Sequence, residues 1–233
     1  RGLDIRLGVE VVTVRWDKAN VQIETSTGGI RAKTVIVTAS TNVLAAGGID
    51  FDPPLPVQVQ AALNAVPVGC ANKFVYPIRG NPEAFPPSVH LLDLRHAPET
   101  CGVYSRPYGR PYLVAHTGGR YAGALERLND RDASGIVMEQ IVGLVGEDAA
   151  RHLGPGRCSR WGEVPSIRGA YSSARPGEAH QRQRLSDQFD ERVLLAGEAS
   201  SMNFYSTAHG AHESGIAAAQ LLMNSVLVDG RDG

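Results

Sequence analysis

Cysteine is scarce: Cys70, Cys101 and Cys158 are the only three in 233 residues, and no two of them form a Cys-x-x-Cys pair. An odd, scattered set excludes a disulfide framework and fits reduced thiols in a cytoplasmic protein. Charge of one sign is also lacking, since the formal net charge is −1. Neither nucleic acid nor an anionic membrane is therefore expected as a partner. No apolar run approaches the ~18 residues of a membrane-spanning helix, and no signal peptide is recognisable. Internal repeats and low-complexity tracts are missing. So are three catalytic signatures: His-Glu-x-x-His, Gly-x-Ser-x-Gly and Gly-x-Gly-x-x-Gly. The glycines of Gly118-Gly119-Arg120-Tyr121-Ala122-Gly123 have the wrong spacing for a dinucleotide loop and read as a strand-to-helix turn. His209, His212 and Glu213 share a helical face, but no cysteine lies near them, so no metal is expected.

What is present is a globular balance of 42% hydrophobic and 20% charged residues, enough for one large domain or two small ones. Period-two apolar patterns predict strands over 3–7, 9–16 and 21–25, a three-stranded meander feeding a buried strand at 34–39. Phe51-Asp52-Pro53-Pro54-Leu55-Pro56 is too proline-rich for a helix or a central strand, and reads as a crossing between lobes. Helical spacing over 57–66 places Val59, Leu63 and Val66 on one stripe. Strands are predicted at 73–78, 88–94, 102–105, 112–116, 157–161 and 192–196, and helices at 118–126, 131–145, 178–185 and 208–224. The last helix is expected to carry Ile216, Ala219, Gln220 and Met223 along one face. The fold class is α/β, or α+β with two lobes.

The chemistry concentrates near the C-terminus. Leu194-Leu195-Ala196-Gly197-Glu198 is an apolar strand ending in a glycine-acid turn, and Tyr205-Ser206-Thr207-Ala208-His209-Gly210 opens a helix. A strand that ends, turns and meets a helix N-terminus can aim free N–H groups at a cofactor, while the acid accepts hydrogen bonds from ligand hydroxyls. Lys73 interrupts the apolar run Phe74-Val75-Tyr76, so its ammonium must reach solvent, an acid or a polar cavity. Trp161 and Tyr171 are an aromatic pair suited either to core packing or to flanking a flat ligand ring.

In order and spacing, these segments resemble the flavin-dependent amine oxidase family, over about residues 3–223 and matching only the C-terminal half of such an enzyme. The resemblance rests on Val-Ile-Val-Thr-Ala followed by Phe-Asp-Pro-Pro-Leu-Pro, on Val-Pro-Val-Gly-Cys-Ala-Asn-Lys, on Trp-Gly…Pro…Gly-Ala-Tyr-Ser, and on Leu-Ala-Gly-Glu-Ala-Ser-Ser…Tyr-Ser-Thr-Ala-His-Gly-Ala. It implies a Rossmann-like FAD-binding domain built from 1–66 and 156–233, and part of a substrate domain with a mixed or antiparallel sheet at 67–155. It also implies roles. Lys73 matches the lysine that holds a water against the flavin, and Val11 a valine whose backbone meets the adenine. Trp161 lies by the ring system, Glu198 of Gly197-Glu198 near the pyrophosphate and ribitol, and Ser206, Thr207 and Ala208 at the helix start. Tyr171 forms one wall of the substrate cage, and Thr207 replaces a second tyrosine on the other. The position of covalent attachment in some members is Ala170, which implies non-covalent FAD.

The activity implied is oxidation of a small amine to an imine, with electrons passing to dioxygen and giving hydrogen peroxide. Alternatives are an L-amino-acid oxidase, for which Arg79, Arg95, Arg106 and Arg110 are available, a flavin dehydrogenase, or a redox-silent assembly subunit. The chain begins without a methionine and lacks the family's Gly-x-Gly-x-x-Gly half. A second polypeptide, a cleaved segment or a separate subunit of a heteromer, is therefore expected to supply it.

Overall fold

A computed structural model describes residues 2–17, 19–92, 98–187 and 190–229, with side chains through 224. The chain forms two compact units, one of residues 1–68 and 171–233 and one of residues 69–170. The fold class is α/β, as the sequence predicts.

The discontinuous unit opens with a meander of β1 (Val11–Arg15), β2 (Val21–Thr25) and β3 (Gly28–Ala32), which β5 (Asp50–Asp52) joins in parallel, giving the order β3-β2-β1-β5. The third strand differs from the expectation. Residues 3–7 form no strand and stand exposed, while Gly28–Ala32, where the sequence predicts no strand and the run Ser26-Thr27-Gly28-Gly29 suggests a turn, pairs along β2 from Thr25↔Gly28 to Val21↔Ala32. A short α1 (Thr41–Ala45), capped by the Ser40 hydroxyl, precedes β5. The proline-rich stretch does not cross between lobes. It begins at the edge strand β5 and continues into α2 (Val57–Ala65) within the same unit. Val59, Leu63 and Val66 are buried as their spacing requires, against Val37, Leu44, Leu185 and Leu195.

In the same unit, β4 (Val35–Val37) and β11 (Val193–Leu195) form a two-stranded parallel sheet. The long α7 (Ala208–Asp229) lies on it through Ala218 and Leu222, which pack on Leu194, Ala196 and Ile36. The expected face of α7 is not the buried one, since Ile216 and Met223 are exposed. Small, apolar and polar residues are spread round the helix with little segregation, which leaves periodicity too little contrast to choose a side.

The unit 69–170 is built on an antiparallel sheet of β6 (Ala71–Pro77), β7 (Val89–Leu92), β8 (Gly102–Ser105), β9 (Tyr112–Gly118) and β10 (Arg157–Cys158), in the order β10-β6-β9-β8-β7. Residues 93 and 94 of the strand predicted at 88–94 lie outside the described residues. One face of the sheet is covered by α3 (Gly119–Glu126) and α4 (Asp130–Val145), which bury Leu125, Ala133, Val137 and Ile141 against Phe74, Tyr76, Val103 and Leu113. A single further turn, α5 (Glu147–Ala150), follows α4. Residues 156–170 belong to this unit and not to the flanking one as expected. Arg157 and Cys158 pair with Val75 and Phe74 of β6, and Ala170 N–H donates to Gly69 O at 2.9 Å.

Candidate active site

The two units each carry part of the predicted residue set. In the unit 69–170, Lys73 stands on the outward-facing side of β6, opposite His116 of β9. Its backbone is pinned by Ser159: Lys73 N–H donates to Ser159 Oγ at 3.1 Å, and Ser159 N–H donates to Lys73 O at 3.0 Å. Burial pulls the His116 imidazole below its ordinary value, and Lys73 and His90 push the same way.

Trp161 opens a single 3₁₀ turn, Trp161–Glu163, with a part-exposed ring. Its position depends on residues that carry no local sign in the sequence. Asn72, 2% exposed, accepts from Trp161 N–H at 3.1 Å and from the Ser159 hydroxyl at 3.0 Å through Oδ1, and donates through Nδ2 to Glu126 Oε1 at 2.8 Å. Glu126 also accepts from Gly162 N–H at 3.0 Å. A Cβ at 162 would overlap the Glu126 carboxylate, so a side chain there would displace that carboxylate from its bonds to Asn72 and Gly162. Arg160, left-handed at φ 46°, completes the turn by donating to the carbonyls of Glu126 and Leu128 and pairing with Asp130 at 2.7 Å. Lys73 and Trp161 are thus fixed to one frame through a single amide side chain. Ala170 ends this unit.

In the other unit, β11 ends in the predicted turn. Gly197, at φ 145°, is in a region that strains an L side chain, and nothing stands within 4 Å of where its Cβ would be. Glu198 is the hub. Oε1 accepts from Ser172 N–H at 2.9 Å, and Oε2 accepts from the Ser172 hydroxyl at 2.6 Å and from Ser206 N–H at 2.6 Å. A carboxylate offers about four acceptor positions. Among the described residues three are filled, which leaves one on Oε1. Ser206 is held at φ 61°, and its hydroxyl donates to Ser172 O at 2.8 Å.

Thr207 caps α7: its hydroxyl accepts from Gly210 N–H at 3.1 Å and donates to Phe204 O at 2.6 Å. That leaves Ala208 and His209 to present the helix's first N–H groups. His209 leans on the Phe204 ring, centroids 4.8 Å apart. Tyr171 is half exposed, next to the fully committed Ser172. Val11 starts β1 beside an irregularity in the ladder between Val11 and Thr13.

Of the arginines considered for a substrate carboxylate, Arg106 is spent on Phe85 O and Glu83, and Arg95 lies outside the described residues. No group of three or more metal-ligating side chains occurs among the described residues, and none of their helices is long and apolar enough to cross a membrane.

A parallel strand that ends in a glycine-acid turn and leads to a capped helix N-terminus is how α/β proteins hold a nucleotide-type cofactor. The sequence pattern of the family described as flavin containing amine oxidoreductase matches residues 1–223. The chain belongs to that family. It is 31% identical over 235 residues to polyamine oxidase 4 of Oryza sativa subsp. japonica, covering 98% of this chain and 47% of that protein. It is 28% identical to the mouse (Mus musculus) lysine-specific histone demethylase 1B, covering 94% of this chain and 27% of that one. The fold matches that of a wild-type putrescine oxidase solved with putrescine, at a TM-score of 0.73 and 19% identity, over 98% of this chain and 50% of that one. The chain spans about half the length of the polyamine oxidases it matches.

Proposed function

We propose that this chain is the C-terminal part of an FAD-dependent amine oxidase that converts a small amine to an imine and passes electrons to dioxygen, giving hydrogen peroxide. The observation that carries the reading is the Glu198 corner: a half-buried, fully organised carboxylate with one acceptor position over, beside an open glycine and the start of α7. That donor and acceptor set fits a hydroxyl-bearing cofactor chain. Bound flavin supplies the two-electron oxidation of the C–N bond. Glu198 would accept a hydroxyl of the cofactor's sugar-alcohol chain, and the first N–H groups of α7 would face its electron-rich groups. Lys73 supplies positive charge from a strand anchored by Ser159, and Trp161 a flat apolar surface on a rigid turn. Tyr171 is the side chain available to orient the amine, and Thr207 acts through its fixed cap and methyl group. Ala170 has no nucleophile, in keeping with non-covalent FAD. The pyrophosphate loop would come from a Gly-x-Gly-x-x-Gly half, on another segment or another chain.

Only the neutral amine can react, so turnover rises with pH through the substrate's bound value. The test is the visible spectrum of the protein together with its complementing half. An oxidised-flavin band that bleaches with an amine under nitrogen, with peroxide formed when air returns, supports the reading; no flavin band sinks it. K73M is expected to slow reaction with dioxygen far more than reaction with amine, and equal slowing would remove Lys73 from its assigned role.

A further inference from the structure

Arg182 opens the short α6 (Arg182–Ser186) and is only 2% exposed, a placement that is costly for a charge without partners. Nη1 donates to Ser172 Oγ at 2.6 Å and to Ala199 O at 3.0 Å, and Nη2 donates to Ser172 O at 3.4 Å. The Tyr205 ring lies over the guanidinium, 4.3 Å from Cζ to the centroid. The direction of the Ser172 hydroxyl is then forced. A guanidinium can only donate and a carboxylate can only accept, so Oγ accepts from Arg182 and passes its own proton toward Glu198 Oε2. Positive and negative charge are joined through one hydroxyl. Every polar group of Ser172 is committed, to Arg182, Glu198 or Ser206, and Tyr171 is the next residue along the chain.

We propose that Arg182 is a positioning residue of the flavin corner: through Ser172 it balances the Glu198 charge and locks the Tyr171–Ser172 backbone to the Gly197–Glu198 turn and the 205–207 segment. The inference rests on the flavin reading above and goes beyond it, because Arg182 acts through Ser172 and not on the cofactor. Lysine cannot replace the arrangement, since a single ammonium lacks the planar fork that holds two carbonyls and a hydroxyl beneath an aromatic ring.

The test is a double-mutant cycle in the flavin-loaded protein, with wild type, R182M, E198Q and R182M/E198Q compared by FAD affinity and by thermal unfolding. With Glu198 present, R182M is expected to weaken FAD binding by roughly tenfold or more, the range for disturbing one charged hydrogen bond. In the E198Q background the same change should cost less than about threefold, because no charge is left to balance. In R182M alone, FAD affinity should climb with pH as the unbalanced carboxyl ionises, whereas wild type should stay flat.

Equal R182M costs in both backgrounds overturn the proposal, as does a flat pH profile in R182M. Coupling that appears in unfolding but not in FAD affinity also overturns it, since the network would then be structural only. Should R182M fail to fold, R182K decides. It keeps the charge, so it should bind FAD more weakly yet without pH dependence, and a pH-dependent R182K refutes the charge-balancing role. All four proteins are measured together with the complementing half, and wild type that takes up no FAD in that setting defeats the flavin reading itself, an outcome that shows in the wild-type arm alone.

Discussion

The substitution Asn72→Asp changes one NH₂ to an oxygen and almost no volume, yet it reverses the most connected hydrogen bond under Trp161. In the native protein Asn72 Nδ2 donates to Glu126 Oε1 at 2.8 Å. An ionised aspartate in its place would set two negative oxygens at that separation, and at an effective dielectric of about 20 the repulsion is about 6 kcal/mol. The pair can instead take up one proton, and protonating an ordinary carboxyl at pH 7 costs about 4 kcal/mol. The cheaper route sets the ceiling. Glu126 is only half-buried, so solvent on its open side reduces the penalty to about 2–4 kcal/mol.

The sign follows from proton uptake. In N72D the folded state holds a proton that the unfolded chain releases above pH ~4, so stability falls as pH rises, by up to about 1.4 kcal/mol per unit. Urea unfolding followed by circular dichroism between pH 4.5 and 7.5 measures this. N72D should lie near wild type at the acid end and fall away toward neutrality, while N72A should lose stability by a similar amount at every pH. A pH-independent N72D would mean that Asn72 and Glu126 do not meet, and the frame proposed for Trp161 would fail.

Two further outcomes follow from the same unit. His116 is held below its ordinary value by burial, then by Lys73 and His90, so the unfolded chain binds more protons just below pH ~6.5. Wild-type stability should therefore fall as pH drops through that range, and H116Q should lessen the fall; identical pH profiles would show that the histidine is solvated. Burial pushes the Cys70 thiol up to about 11, with Glu126 adding to it, and pushes Cys101 up to about 11. At pH 8 only about one thiol in a thousand is then ionised, so iodoacetamide should label both quickly in urea and hardly at all in the native protein. Fast native labelling of Cys70 would show that its thiol is open to solvent.

How much of this could be read from residues alone depended on how local each signal was. The α2 stripe of Val59, Leu63 and Val66 was legible because three buried positions share a face within ten residues. Gly197-Glu198 and the α7 start were legible because strand, turn and helix are consecutive in the chain. The strand at 28–32 was not, because Gly28 and Gly29 carry no β propensity, and its strand character comes from pairing with β2. The roles of Asn72, Glu126, Ser172 and Arg182 were hidden for a different reason. Each acts on partners that the chain brings in from elsewhere: Asn72 on Trp161, Arg182 on Ala199. Gly162 was the one available hint, a glycine directly after an aromatic where a backbone approaches a carboxylate.

The division has a physical cause. Residues at chain turns and helix starts, such as Gly197, Glu198 and Thr207, leave a sequence signature. The groups that hold them still need only be buried and hydrogen-bonded, and an Asn or Arg in an ordinary stretch does that as well as one in a motif. In this chain the residues that fix Trp161 and Tyr171 in place are therefore the ones that only the fold reveals. They are also the ones whose replacement should separate a loss of order at the corner from a loss of chemistry.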